Sequence, residues 1–368
     1  MSLLNGVDMM KVLTIIGARP QFVKEAVIYK AFREKGINEI LLHTGQHYDQ
    51  NMSEIFFNIL EIKEPEYNLG IGSGTHAYQT GKAMMGIEEV CFKEKPDCIL
   101  VFGDTNATLA GAIVGAKLRI PVAHVEAGLR QEPRYMPEET NRVLTDRISQ
   151  YLFCPTDLAI KNLKNENRTE GVYFVGDVMY DLFVKVRKSI NLDEVLDKFD
   201  LKKKNYRVLT LHRDFNTDDR SRFENILKAV KFISERETLL FPIHPRTKKY
   251  IREYGFERYI ETCKVIDPVG YTDLVALLCN SKGVITDSGG LQKESYFAGV
   301  PATVLMHDTG WMELVDMGWN CLVDADTDLI IEKVMNHKPK QSTENALYGH
   351  GNAGEKIADI LINSFKGD

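Results

Sequence analysis

The feature that most constrains this chain is an alternation met twice. Short apolar runs rich in β-branched residues are separated by longer stretches with helical spacing. KVLTIIG (11–17), INEILLHTG (37–45), DCILVFGD (97–104), IPVAHVEAG (120–128), QYLFCPT (150–156) and GVYFVGD (171–177) make the first series. YRVLTLH (206–212), ETLLFPIHP (237–245), KGVITDSGG (282–290) and VPATVLM (300–306) make the second. A continuously apolar run suits a strand covered on both faces, and the intervening helices supply both covers. The expected fold is therefore α/β, with two doubly wound, Rossmann-like domains facing a cleft. Between the two series lies KVRKSINLDEVLDKFDLKKKNY (185–206), where charge rises and strand signal vanishes. It reads as a linker dividing residues 1–185 from 186–368, with the final helix expected to pack back on the first domain.

Composition narrows the function. With 368 residues the chain is long enough for two ordinary cores. A formal charge of -6 leaves no basic stripe to neutralise a run of phosphates, which argues against nucleic acid as a partner. The six cysteines lie far apart without a C-x-x-C pair and read as buried, reduced thiols. No apolar run approaches a membrane span and no signal-peptide core precedes the first strand, so no membrane association and a cytoplasmic location are expected. The leading MSLLNG is set aside as a ragged start.

In open parallel sheets ligands bind beyond the carboxyl ends of the strands. Those ends are polar throughout: GARPQFVK (17–24), TGQH (44–47), GDTNAT (103–108), HVEAGLR (124–130), HRDFN (212–216), HPR (244–246) and TDSGG (286–290). Such endings are expected to line the cleft. TDSGGLQKE (286–294) opens a helix after an apolar run, so free N–H groups near Gly289 and Gly290 form an anion seat at the positive end of the helix dipole. Ser288 there is equally well an ordinary N-cap. Glu294, about one turn further on, can accept from ribose hydroxyls. Arg19 and Lys24 follow the first strand within reach of one phosphate or sugar. The nicotinamide signature G-x-G-x-x-G is absent after the first strand, LGIGSGTH (69–76) reads as a loop, and metal spacings such as H-E-x-x-H are missing. No cofactor and no metal are expected.

With GARPQFVK, GDTNAT, HVEAGLR, PEETNR (137–142), HRDFN and TDSGGLQKE in this order, the chain resembles the non-hydrolysing UDP-N-acetylglucosamine 2-epimerases over nearly its whole length. The resemblance implies a two-domain fold of the glycosyltransferase B type and reversible conversion of UDP-N-acetylglucosamine to UDP-N-acetylmannosamine. The hydrogen on sugar C-2 has no adjacent carbonyl, so its inversion is expected to pass through expulsion of UDP, a 2-acetamidoglucal and re-addition. By resemblance Arg19, His212, Ser288, Gly289, Gly290 and Glu294 contact UDP. Asp104, Glu126 and Glu138 are the candidate acid and base groups, and His212 completes the catalytic set. Lys24, His47 and Arg142 support the substrate. The implied partners are a UDP-sugar and a second copy of the chain in a homodimer.

Two departures bear on the substrate. Where much of the family has H-R-x-E-N, this chain reads His212-Arg213-Asp214-Phe215-Asn216, so the glutamate's role is missing or moved to Asp214. Where an arginine usually begins an R-D-T-T-E stretch, His307 begins HDTGWMELV (307–315). The LQKESYF and GWMELV wording resembles a sister branch acting on UDP-2,3-diacetamido-2,3-dideoxyglucuronate. A uronate would need an extra cation, and His307 removes one candidate, which favours UDP-N-acetylglucosamine. A glycosyltransferase of the same fold is the third reading, for which three first-domain carboxylates are in excess.

Overall fold

The computed structural model describes residues 9–45, 63–132, 134–339 and 346–367; His47 and the leading MSLLNG lie outside them. The chain divides into two compact units, Met1–Val184 with Ala346–Asp368, and Lys185–Asn345.

In the first unit, strands β1 (Lys11–Ile16), β2 (Asn38–His43), β3 (Tyr67–Asn68), β4 (Cys98–Phe102), β5 (Val122–Val125), β6 (Tyr151–Cys154) and β7 (Val172–Phe174) pair in the order β3-β2-β1-β4-β5-β6-β7. Every pairing is parallel. The pleat sends alternate residues of β1 into different cores. Val12 and Ile16 join Phe22, Ile28 and Phe32 of helix Arg19–Lys35 and Ile357 and Leu361 of helix Ala353–Gly367. Leu13 and Ile15 join Ala83, Ile87 and Val90 of helix His76–Glu94 and Ala110 and Val114 of helix Asn106–Leu118. Each face thus has its own helical cover. The last helix belongs to this unit, tied in by Lys35 to Asp359 (2.6 Å) and by Gly354 N donating to Asp181 Oδ2 (2.9 Å).

The second unit repeats the plan. Strands β8 (Tyr206–Thr210), β9 (Thr238–Pro242), β10 (Lys264–Ile266), β11 (Val284–Thr286), β12 (Ala302–Val304) and β13 (Asn320–Leu322) run parallel in the order β10-β9-β8-β11-β12-β13.

Three strands were not legible as apolar runs: β3, β10 and β13. All three are sheet edges of two or three residues, half exposed over much of their length, so little apolar sequence is required of them. LGIGSGTH consequently does follow a strand, β3, before the Thr75 hydroxyl caps the next helix by accepting from Tyr78 N. The stretch 185–206 is also more structured than a linker. It carries the end of helix Val178–Ser189 and helix Leu192–Lys198, whose Leu196 packs against Tyr206 and Val208. Asn191 caps that helix, and its charges mark a solvated face. Cys91, Cys98 and Cys154 are buried, whereas Cys263, Cys279 and Cys321 are half-buried; all six are free thiols.

One buried feature runs against the apolar plan. Glu25, on the inner face of helix Arg19–Lys35, and Glu39, on β2, are both buried on the side of the sheet that Thr14 faces. Thr14 Oγ1 donates to Glu39 Oε1 (2.5 Å). Burial and then the Glu39 charge hold the Glu25 carboxyl well above its ordinary value, and burial pushes Glu39 up to about 7. Asp181 moves the same way, to about 6, through burial. Carboxyls raised in the folded state bind protons more tightly there than in the unfolded chain. Their stabilisation is present below the ordinary carboxyl range and is lost as pH rises through about 7. Glu39→Gln should therefore match the wild type near pH 5 and exceed its unfolding free energy by about 2 kcal/mol at pH 8, as read by urea denaturation.

Candidate functional site

Each sheet reverses its winding between two adjacent strands, β1 and β4 in the first unit and β8 and β11 in the second. Loops leaving a switch point diverge and open a crevice at the carboxyl edge. GARPQFVK and GDTNAT leave the first switch point; HRDFN and TDSGG leave the second.

In the first unit, Gln21 ties the two loops together. Its Oε1 accepts from Gly17 N (2.7 Å) and Ala18 N (3.0 Å), and its Nε2 donates to the Phe102 carbonyl (2.7 Å). Arg19 begins the helix that follows, with Pro20 in its first turn. From that helix Lys24 Nζ pairs with Glu126 Oε2, both largely shielded from solvent. Glu126 sits just past β5 with φ +69, a conformation that costs a side-chain-bearing residue of order 1 kcal/mol and recurs at functional sites. A Cβ placed on Gly103 would lie 3.3 Å from Glu126 Oε2, so the carboxylate leans over the loop that carries Asp104.

Asp104 is held from the other side. Arg142 Nη2 donates to its Oδ2 (2.5 Å), and Asn141 Nδ2 donates to its carbonyl (2.9 Å). Arg142 Nη1 also donates to Glu139 Oε2 (2.8 Å). Burial works against the Arg142 charge, but Asp104 and Glu139 outweigh it and raise its pKa. Helix Pro137–Ile148 thus starts with proline and two glutamates of different fates: Glu139 is buried in this ion network, and Glu138 is exposed. Lys24, Asp104, Glu126 and Arg142 come together here, and Glu138 stands apart from their ion pairs.

Residues that the motifs contained without an assigned role complete this site. Gln21, Asn141, His124 and Arg130 are four, and Asp146, one turn beyond PEETNR on the same helix, joins them. His124 is wholly buried, with Nδ1 2.7 Å from Asp146 Oδ1 and Nε2 2.7 Å from the Gly103 carbonyl. His76 Nδ1 lies 3.3 Å from Asn106 Oδ1 in the GDTN loop.

In the second unit the helix Gly289–Phe297 starts at Ser288, whose hydroxyl makes no cap bond. The first N–H groups of that helix are left for another acceptor. Gly290 has no left-handed backbone, and a Cβ there would meet nothing within 4 Å. Neither conformation nor packing of the chain itself demands glycine at this position. Beside it, Trp311 Nε1 is 3.7 Å from the corresponding point on Gly289, and Lys293 Nζ lies 4.1 Å above the Trp311 ring. Glu294 is buried one turn into the helix.

Asp287 positions His212. Fully buried, it accepts from His212 N (3.0 Å), Arg213 N (2.9 Å) and Asn216 Nδ2 (3.3 Å), and its Oδ1 is 3.4 Å from His212 Nδ1. Burial lowers the His212 pKa, with Arg213 and His244 adding to the effect and Asp287 opposing it, so the ring is neutral at pH 7. Phe215 is exposed in place of the family's glutamate, and Asp214 Oδ1 accepts from the Phe215 N–H (2.8 Å). Among the described residues no group of three or more His, Cys, Asp or Glu is arranged to hold a metal, and no helix is long and apolar enough to cross a membrane.

Two doubly wound parallel sheets, each with a polar site at its switch point, define an α/β protein of the glycosyltransferase B type. The family model described as UDP-N-acetylglucosamine 2-epimerase matches residues 30–362. A UDP-N-acetylglucosamine 2-epimerase homolog of Methanococcus maripaludis is 49% identical over 96% of this chain and 100% of its own. The UDP-2,3-diacetamido-2,3-dideoxy-D-glucuronate 2-epimerase of Pseudomonas aeruginosa is 46% identical over 96% of this chain and 99% of its own. The crystal structure of Methanocaldococcus jannaschii UDP-GlcNAc 2-epimerase with UDP-GlcNAc and UDP superposes with a TM-score of 0.84 at 41% identity, covering 96% of this chain and 100% of that one. The chain belongs to the UDP-N-acetylglucosamine 2-epimerase family, a family of isomerases.

The open space at Gly290 yields a direct test of the anion seat. Gly290→Asp should keep the wild-type melting temperature, because the added side chain has room, while like-charge repulsion weakens calorimetric binding of a diphosphate probe tenfold or more.

Proposed function

We propose that this chain inverts C-2 of UDP-N-acetylglucosamine to give UDP-N-acetylmannosamine, reversibly, through elimination and re-addition of UDP. The observation that carries the proposal is the pair Asp104 and Glu126 on adjoining loops at one switch point, each carboxylate held by a cation, Arg142 and Lys24. A carboxylate of this pair removes the C-2 proton, the C–H electrons form the C-1 to C-2 double bond, and the C-1 to oxygen bond breaks with its electrons leaving on UDP. Return of a proton to the opposite face and re-addition of UDP complete the inversion. Carboxylates serve as the proton carriers. The uncapped helix N-terminus at Ser288–Gly290 suits the departing diphosphate, and His212 is kept in the contact with UDP that resemblance implies. Arg19, Glu138, His47 and Glu294 are kept in the roles that resemblance implies.

A second substrate has its own support. The Pseudomonas aeruginosa relative, 46% identical, acts on UDP-2,3-diacetamido-2,3-dideoxy-D-glucuronate. Elimination is common to both substrates.

Incubation with each UDP-sugar in deuterium oxide, followed by NMR, tests the reaction and the substrate together. Deuterium should appear at C-2 in step with epimerisation. Glu126→Gln or Asp104→Asn should lower exchange and epimerisation together, on the order of a hundred-fold, with UDP still bound. Epimerisation with the C-2 hydrogen retained would overturn the mechanism, and faster turnover of the uronate would reassign the substrate.

Assembly as a homodimer belongs to the same proposal. Tyr78, Met85 and Phe92 recur every seventh residue on helix His76–Glu94 and are 50%, 60% and 64% exposed. Seven-residue spacing keeps them on nearly one face, and a second copy related by a two-fold axis would cover that apolar stripe. A Met85→Glu, Phe92→Glu double variant should sediment as a monomer with an unchanged circular dichroism spectrum, whereas the wild type sediments as a dimer.

A further inference from the structure

We propose that His124 is a positioning residue of this site: it locks the loop bearing Asp104 onto the strand that leads to Glu126, acting through the Gly103 carbonyl without touching substrate. The inference rests on the reading of Asp104 and Glu126 as the proton carriers.

The geometry begins with the two bonds of the ring. Nε2 lies 2.7 Å from the Gly103 carbonyl oxygen and Nδ1 2.7 Å from Asp146 Oδ1. A carbonyl can only accept, and so can an ionised carboxylate. Burial alone would raise the Asp146 carboxyl, but His124 and Arg130 more than offset it and lower its pKa, so Asp146 is ionised. A neutral imidazole has one N–H and would leave one of these oxygens facing a lone pair. Each nitrogen thus faces an acceptor, and the geometry calls for an N–H on both, in a site with no solvent access.

A buried cation stands only where its charge is matched. Asp146 Oδ2 accepts from Gly128 N (3.0 Å) and from Arg130 Nη1 (2.7 Å). Arg130 in turn donates through Nε and Nη2 to the two oxygens of Glu166, each at 2.7 Å. The chain His124, Asp146, Arg130, Glu166 alternates in sign and reaches the surface at Glu166.

What this network holds is one peptide unit. Gly103 is left-handed at φ +61, and its N–H donates to the Val125 carbonyl (3.0 Å) while its carbonyl accepts from His124. Both backbone groups of Gly103 are thus fixed to β5 and its side chains. Asp104 is the next residue, and Glu126 Oε2 stands over Gly103. A flip of the Gly103–Asp104 peptide would turn Asp104 away from Glu126, and the charge-assisted bond from His124 opposes that flip.

Two substitutions separate the two bonds. His124→Gln places an amide N–H near the position of Nε2 and keeps the bond to Gly103 while losing that to Asp146. His124→Asn places one near Nδ1 and does the reverse. His124→Gln should keep kcat within about tenfold of wild type despite a lower melting temperature. His124→Asn should lose kcat on the order of a hundred-fold with KM and UDP affinity little changed. In hydrogen exchange, the amides of 103–106 should lose protection in His124→Asn and keep it in His124→Gln. Equal kcat losses that follow melting temperature, or unchanged protection in His124→Asn, would overturn the proposal. In the wild type, 15N NMR should find both ring nitrogens of His124 protonated, and a single N–H would overturn it without any variant. A wild-type chain that carries these exchange and NMR signatures but does not epimerise would refute the reaction, not the positioning.

Discussion

Parallel pairing is the constraint on which the rest of this structure depends. Each parallel connection must return across a face of the sheet, so every strand of a unit ends on the same edge. Polar loops far apart in sequence, such as 17–24, 103–108 and 124–130, are thereby gathered at one edge without contacts of their own to bring them there. The reversal of winding between β1 and β4, repeated between β8 and β11, decides where along that edge the loops part.

Gathering so many charges at one edge has a cost, met at several shielded carboxylates by a cation or by backbone donors. Glu126 has Lys24, Asp104 and Glu139 share Arg142, and Asp146 lies between His124 and Arg130. In the second unit Asp287 uses backbone N–H groups as well as the His212 ring. Breaking one such buried pair costs about 3–5 kcal/mol, because the remaining charge stays in a poorly solvated place. These networks therefore hold geometry more than they add stability. The Glu25 and Glu39 carboxyls meet the same problem differently: burial raises both, and a proton takes the place of a cation.

Two glycines show how the backbone serves this arrangement. Gly103 needs its left-handed conformation to turn out of β4, and its missing side chain makes room for the Glu126 carboxylate. Gly290 needs no such conformation and borders open space, which leaves the start of its helix uncovered by side chain.

The sequence by itself determined the class of fold and which polar stretches lie at the carboxyl edge, because both follow from local pattern. Central strands such as CILVF announce burial on two faces, and polar residues immediately after them announce the carboxyl edge. Edge strands β3, β10 and β13 left little trace, since an edge is asked to bury little. The roles of residues within the motifs were decided only by tertiary structure. HVEAGLR displays His124 and Arg130 without saying that one is sealed in the core and the other links it to Glu166. PEETNR puts Glu138, the candidate of the two, beside Glu139, and the turn of one helix buries Glu139 and exposes Glu138. Periodicity reports which face a residue takes, whereas a hydrogen-bond partner 22 or 102 residues away, as for His124 with Asp146 or Lys24 with Glu126, exists only once the sheet has formed.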